Sequence, residues 1–410
     1  MLGVGDMNNK GKLKSFFKIL FGSAGGQIIL LCSLPFLSRF YGPSQFADYA
    51  IVLSITNILG VVISFRLENA IFGHTGLRRR LVFTLAGVMA IASAFAITVA
   101  VTVLSILFSF SSTIIIWGIV GALGFSLYNT TCLMLNAGYQ YNEIAVLRIS
   151  RPVVEVVVAL GVMAFSSSYF LAIPISYALV LLMCLMFLSV YKSLLFRGAA
   201  LMMALKRNRD CVLFDTPASL SVAFSSYAPF LILSLAFDKA LLGMYSLAFR
   251  VVVGPVNTIL QSVAYLSRQD LSEGHRQKQL MHSFAQWRSK LVLLGLIILI
   301  PVVLACYFDL FGLMFGAGWE GVDELVLVLT PLIVTKIIAV PLSFVFVIKK
   351  KLKLNLAIQL IGLGLTTMVL LGALLGGVDF IGTLIAYSLS YALFYFVYYK
   401  MSESITIHEK

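Results

Sequence analysis

Apolar residues in this chain fall into long uninterrupted runs, parted by short polar stretches that concentrate its charge. A helix that crosses a bilayer needs about 20 mostly apolar residues, and runs of that length recur twelve times. They lie at about 16–38, 45–65, 81–109, 113–135, 149–166, 169–190, 215–236, 241–266, 289–308, 323–347, 354–375 and 379–399. The pattern predicts an all-α polytopic membrane protein of twelve transmembrane helices. The first two runs make a hairpin closed by the turn Leu37-Ser38-Arg39-Phe40-Tyr41-Gly42-Pro43, and Phe65-Arg66-Leu67-Glu68 ends it.

Composition agrees, because 60% of the 410 residues are apolar and only 11% are charged. A soluble domain carries roughly 25% charged residues, so a single water-soluble core is excluded. The formal net charge of +13 would suit a nucleic-acid partner if it formed a stripe, but the basic residues sit in small clusters between runs. Short loops rich in Lys and Arg stay in the cytoplasm. With the N-terminus inside, all but four of the 30 basic residues fall in cytoplasmic segments. The exceptions are Arg39 and Lys239 in outer turns, and Arg250 and Lys336 within spans. An even number of spans with both termini cytoplasmic follows. Met1 to Lys14 is polar and the first run is of full length, so no cleavable signal peptide is expected.

The second half echoes the first. Phe40-Tyr41-Gly42 through Tyr49 has a counterpart in Phe237-Asp238-Lys239 through Tyr245, an offset of 196 residues. Six spans followed by six spans, both sets starting inside, predict two lobes, 1–200 and 201–410, and parallel repeats commonly hold substrate between them. The longest cytoplasmic connection joins the lobes. Its Leu201-Met202-Met203-Ala204-Leu205, followed by Lys206-Arg207-Asn208-Arg209, reads either as an interfacial amphipathic helix or as a solvated loop.

Leu37-Ser38-Arg39-Phe40-Tyr41-Gly42-Pro43 with Phe46-Ala47-Asp48-Tyr49-Ala50, then Arg66-x-Glu68-x-Ala70-Ile71, Gly243-Met244-Tyr245-Ser246-Leu247-Ala248 and Phe315-Gly316-Ala317-Gly318-Trp319 resemble the motifs of the bacterial polysaccharide (O-antigen-type) flippases of the MATE-like superfamily. Leu67 stands where that family usually has an aromatic residue. The resemblance implies a V-shaped MATE-like transporter. It would flip an undecaprenyl-diphosphate-linked oligosaccharide across the bacterial inner membrane by alternating access, for lipopolysaccharide or other surface polysaccharide. Spans one, two, seven and eight would line the cavity. Expected partners are the lipid-linked oligosaccharide, the bilayer, and polysaccharide polymerase and chain-length machinery, with no cofactor and no enzymatic activity.

Helical spacing supplies candidates on those spans. Ser246, Arg250, Gly254, Asn257 and Gln261 share one face of span eight. A central Arg costs about 2.5–3.5 kcal/mol in lipid, so Arg250 is expected to face protein or water. It is read as a diphosphate or sugar-acid contact, against an internal salt bridge or a side chain snorkelling outward. Asn57 on span two and Gln27 on span one extend the cavity candidates. Arg39 would sit at the outer mouth or fix its turn, and Arg66 would pair with Glu68 as an inner gate or mark topology. Glu155, with Asp48 and Asp215 behind it, is the candidate proton carrier, against a satisfied buried carboxylate. Lys336 in span ten would pair within its lobe or reach the cavity.

Other chemistry finds little support. The five cysteines are scattered, the four histidines are dispersed, and neither shows metal-ligand spacing. No P-loop is present, so ATP is not the expected direct energy source. An exporter of small cationic drugs would favour cavity carboxylates, and a membrane polymerase would need long outer loops. Both remain alternatives to the flippase.

Overall fold

The computed structural model describes residues 9–109, 111–165, 168–187, 198–209, 211–316 and 318–407. Side chains of residues 9–24, 73, 214, 261, 262, 265, 269 and 352 also lie outside the description. The described residues form helices and no strand. The helices are α1 (Asn9–Phe40), α2 (Pro43–Val62), α3 (Gly76–Phe108), α4 (Thr113–Ala137), α5 (Tyr141–Met163), α6 (Ala172–Phe187), α7 (Gly198–Arg207), α8 (Thr216–Leu233), α9 (Lys239–Arg276), α10 (Leu280–Tyr307), α11 (Leu310–Phe315), α12 (Val322–Leu342), α13 (Val345–Ile348), α14 (Leu352–Leu375) and α15 (Phe380–Ile407). An apolar chain in hydrocarbon must satisfy its backbone within each segment, which favours helix throughout.

Among the described residues nine helices are long and apolar enough to cross a membrane, against twelve expected spans. Two more apolar helices, Gly25–Phe40 and Tyr169–Leu185, are shorter. Helix α5 has 23 residues but includes Glu143, Arg148, Arg151 and Glu155. Hydropathy also misplaces ends. Span eight was expected to stop near 266, yet α9 runs 38 residues to Arg276. Its polar last turns hold together through Glu273, which accepts from Arg276 at 3.2 Å and from Gln277 at 3.0 Å. Apolarity marks where a helix enters lipid and carries no information about how far it continues beyond.

Two compact units divide the chain. One holds Met1–Ser33 with Asp48–Ala223, the other Leu34–Ala47 with Phe224–Lys410. In the first, α3 and α6 pack on α4, and α5 packs on α6. Val82, Phe83, Leu135, Ile144, Leu147 and Val180 are core residues there. Gly121 and Gly124 let α4 approach its neighbours closely, since a Cβ at either would collide with Thr56 or Tyr177. In the stretch read as the interlobe connection, Gly198–Arg207 form the short helix α7. Its Leu201, Ala204 and Leu205 pack on a core of Leu67, Leu85 and Ala86.

In the second unit α12 is central and touches α9, α10 and α15. The turn Leu34–Ala47, counted with the first lobe in the sequence division, packs in this unit. Trp319 is 1% exposed. Its indole N–H donates to the Ser38 carbonyl at 2.9 Å, an acceptor left open at the end of α1. Its ring meets Phe46 edge-on with centroids 4.8 Å apart. The Ser38 hydroxyl donates to the Phe315 carbonyl at 3.3 Å. Gly243 lies so close to the Pro43 backbone that no Cβ fits.

Trp319→Phe keeps an aromatic ring and removes the N–H. It should lower stability by about 1–3 kcal/mol, the cost of a buried unsatisfied acceptor. Gly243→Ala should lower it further, because the collision is with backbone. Thermal unfolding in detergent measures both, and an unshifted midpoint for Gly243→Ala would refute the packing assigned to the turn.

Candidate functional site

Helix α9 begins where Asp238 caps it, its carboxylate accepting from the Ala240 N–H at 3.0 Å. The polar stripe predicted on this helix continues further than expected. From Asn257, steps of four, three and four residues lead through position 261 and Ala264 to Arg268, so all four lie on one face. Asn257, Leu260, Ala264 and Arg268 line a cavity of about 390 Å³ with Lys336 and Val340 of α12. The Ser267 hydroxyl ties the two helices by donating to the Pro341 carbonyl at 3.4 Å. The Arg268 guanidinium lies 5.3 Å from the centre of the Phe344 ring.

Among the described residues this cavity has two cations and an amide, and no carboxylate lines it. Among the described residues no carboxylate pairs with Lys336 or Arg268. Arg268 is exposed and Lys336 is half-buried among apolar helices, where a cation without a counter-ion is costly unless water or an anion reaches it. Such a site suits an anion. A guanidinium can bind two phosphate oxygens at once, a lysine adds a point charge, and an amide can donate to a further oxygen. Lys336, which the sequence left between an ion pair and the cavity, stands in the lining. Arg268 was assigned to a cytoplasmic loop, although its register with Asn257 was readable.

The other candidates spread over both units. In the second, the Arg250 guanidinium lies 5.8 Å from the centre of the Phe46 ring. Arg39 is exposed at the turn, and the Gln261 side chain lies outside the description. In the first, Gln27 is half-buried and Asn57 donates to the Leu53 carbonyl of its own helix at 2.8 Å. Asp48 is half-buried at the start of this unit's part of α2. Glu155 is buried, ion-paired with Arg151 at 2.9 Å, and accepts the Tyr49 hydroxyl. Arg151 in turn covers the Tyr177 ring at 4.8 Å. Asp215 accepts from Asn69 at 2.6 Å. Arg66 pairs with the buried Glu68 at 3.4 Å. Among the described residues no group of three His, Cys, Asp or Glu could hold a metal.

No family model matches the chain, and no curated protein matches it in sequence. Solved structures do match. The lipid II flippase MurJ in an inward closed conformation aligns with a TM-score of 0.69 at 13% identity, covering 95% of this chain and 87% of that one. An inward-facing multidrug resistance MATE transporter of the MOP superfamily aligns at 0.66 with 12% identity and 96% coverage of both chains. A mutant form of the Vibrio cholerae MATE transporter VcmN aligns at 0.61 with 14% identity and 97% coverage of both. The chain has the MATE and MurJ fold. At such identities the fold is held by helix lengths and packing, while side chains lining a cavity are free to differ.

Two tests follow from the first unit. Replacing either member of the Arg151–Glu155 pair leaves the other as an uncompensated buried charge. Arg151→Met or Glu155→Gln should each cost about 3–5 kcal/mol, and the double variant should recover much of that. Thermal unfolding of all four proteins checks it, and additive losses would refute the pairing. Burial raises the Glu68 carboxyl above the ordinary 4.5, with the Arg66 charge opposing. A raised carboxyl contributes stability below pH 4.5 that is lost as pH rises through the shifted value. The advantage of Glu68→Gln in unfolding temperature should therefore grow as pH is raised from 4.5. An advantage that shrinks with pH would overturn this.

Proposed function

We propose that this protein is an alternating-access transporter that flips an undecaprenyl-diphosphate-linked oligosaccharide across the bacterial inner membrane, for surface polysaccharide such as O-antigen. Its termini are cytoplasmic, and its product passes to polysaccharide polymerase and chain-length machinery. The observation that carries this reading is the cavity with Lys336, Arg268 and Asn257 and, among the described residues, no carboxylate in its lining. A diphosphate needs cations along its route, because a doubly charged head group cannot enter hydrocarbon unpaired. The shared fold with MurJ, described as a lipid II flippase, supports a lipid-linked substrate. Arg250 and Arg39 are proposed as further contacts along the route, with Gln261, Asn57 and Gln27 as neutral polar ones. Glu155, Asp48, Asp215 and the Arg66–Glu68 pair are proposed for coupling or gating. An exporter of small cationic compounds, the competing reading from the MATE neighbours, would place carboxylates around this cavity, and none of the described residues lining it is one.

A deletion strain should lose surface polysaccharide and accumulate lipid-linked repeat units inside; normal polysaccharide without accumulation would refute the proposal. In the complemented strain, Lys336→Ala and Arg268→Ala should each lower export roughly tenfold or more at normal protein level, the scale of one charged hydrogen bond. Lys336→Arg should keep more activity than Lys336→Ala. Unchanged export in both alanine variants would remove the cavity from the route.

A further inference from the structure

A second cavity, of about 580 Å³, lies in the first unit. It has no part in the proposed transport route. Phe65, Met89, Leu205, Val212 and Leu213 form its apolar lining, and Lys206 and Arg209 supply its two charges. The volume falls within the roughly 300–1,000 Å³ range of ligand sites.

The local fold explains the shape. Phe65 and Arg66, just past α2, both take the left-handed conformation at φ 52°, a costly geometry for residues with side chains. This turns the chain into the 3-10 segment Leu67–Gly73. Helix α7 rests on α3 through Leu201, Ala204 and Leu205. The chain then widens into a π-helical turn over Cys211–Asp215, which supplies Val212 and Leu213. The opposite side of α7 leaves Met202 and Met203 exposed, at 58% and 72%, next to exposed Lys206 and Arg207. Among the described residues, no carboxylate pairs with Lys206, Arg207 or Arg209.

An apolar hollow edged by two cations, beside a helix with exposed methionines and basic residues, matches an amphiphile with a negative head and an apolar tail. We propose that this cavity is a binding site for one acyl chain of an anionic phospholipid. Lys206 and Arg209 hold the head-group phosphate, and Phe65, Met89, Leu205 and Leu213 surround the chain. A zwitterionic lipid offers the same tail, but its own ammonium group competes for the phosphate. The preference for a net anionic head therefore comes from the two cations. A soluble acidic peptide would use the cations and leave the apolar hollow empty. The bound lipid would join α3, α7 and the left-handed turn at the end of α2.

Photo-crosslinking of the full-length protein tests this. The protein is reconstituted into phosphatidylcholine vesicles containing a trace of phosphatidylglycerol with a diazirine on one acyl chain. After illumination, adducts are mapped by mass spectrometry. They should concentrate on peptides containing Phe65, Met89 and Leu205. Their yield should exceed that of a phosphatidylcholine probe with the same chain by roughly tenfold, the scale of two cations at a lipid phosphate. Lys206→Gln with Arg209→Gln should bring the two probes to parity without shifting the unfolding temperature, since both side chains are exposed. Equal labelling by the two probes in the unaltered protein would overturn the proposal. So would adducts spread evenly over the lipid-facing helices, or a preference that survives the double substitution.

Discussion

Moving a charged group out of water and into apolar surroundings costs several kcal/mol unless a partner or a wet cavity receives it. The polar residues of this protein are arranged around that constraint. In the first unit it is met by pairing: Glu155 with Arg151 and Tyr49, Asn69 with Asp215, and Arg66 with Glu68. Each of these holds helices or turns together and leaves little charge for a ligand. In the second unit it is met differently. Lys336 and Arg268 face a shared cavity, with Asn257 and, among the described residues, no acid in the lining. Paired charges stabilise a scaffold. Unpaired cations around a cavity make a site for an anion.

The turn between the first two helices shows how packing explains a motif that looks chemical. Its Tyr41-Gly42-Pro43 stretch and the distant Phe315 to Trp319 stretch meet in one unit. There the indole of Trp319 closes the open carbonyl of Ser38 and its ring packs on Phe46. Gly243 is small because the backbone of Pro43 lies against it. Tyr41, Phe46, Tyr245 and Trp319 are almost fully buried. Much of the family resemblance is therefore carried by residues that hold the turn in place. That fits a fold shared with MATE transporters and MurJ at 11–14% identity. Helix packing tolerates wide substitution provided that close approaches and buried hydrogen bonds are kept.

Function then rests on few side chains. The fold alone is compatible with several functions, and in the proposed reading the charge of the cavity lining selects the cargo. The proposed flippase reading depends on the cations of α9 and α12. The proposed lipid site depends on a separate pair of cations beside α7. The two readings share no residue and stand or fall independently.

Run lengths alone determined the fold class, because only helices satisfy their own backbone in hydrocarbon and only long apolar runs can lie there. The same reasoning pointed to α9 as a polar helix, since residues three and four apart share a face whatever surrounds them. The same register reaches Arg268, but the apolar run ends before it. Hydropathy places such a residue outside the membrane, whereas the helix simply continues past the apolar stretch. The pattern could not say whether Lys336 was paired, or that Tyr49 of α2 reaches Glu155 of α5. Pairing is a distance between helices, and a one-dimensional pattern has no distances between elements. The tertiary structure decided that the turn at Leu34–Ala47 packs with the second unit. It also decided which cations were neutralised in the core and which were left facing a cavity.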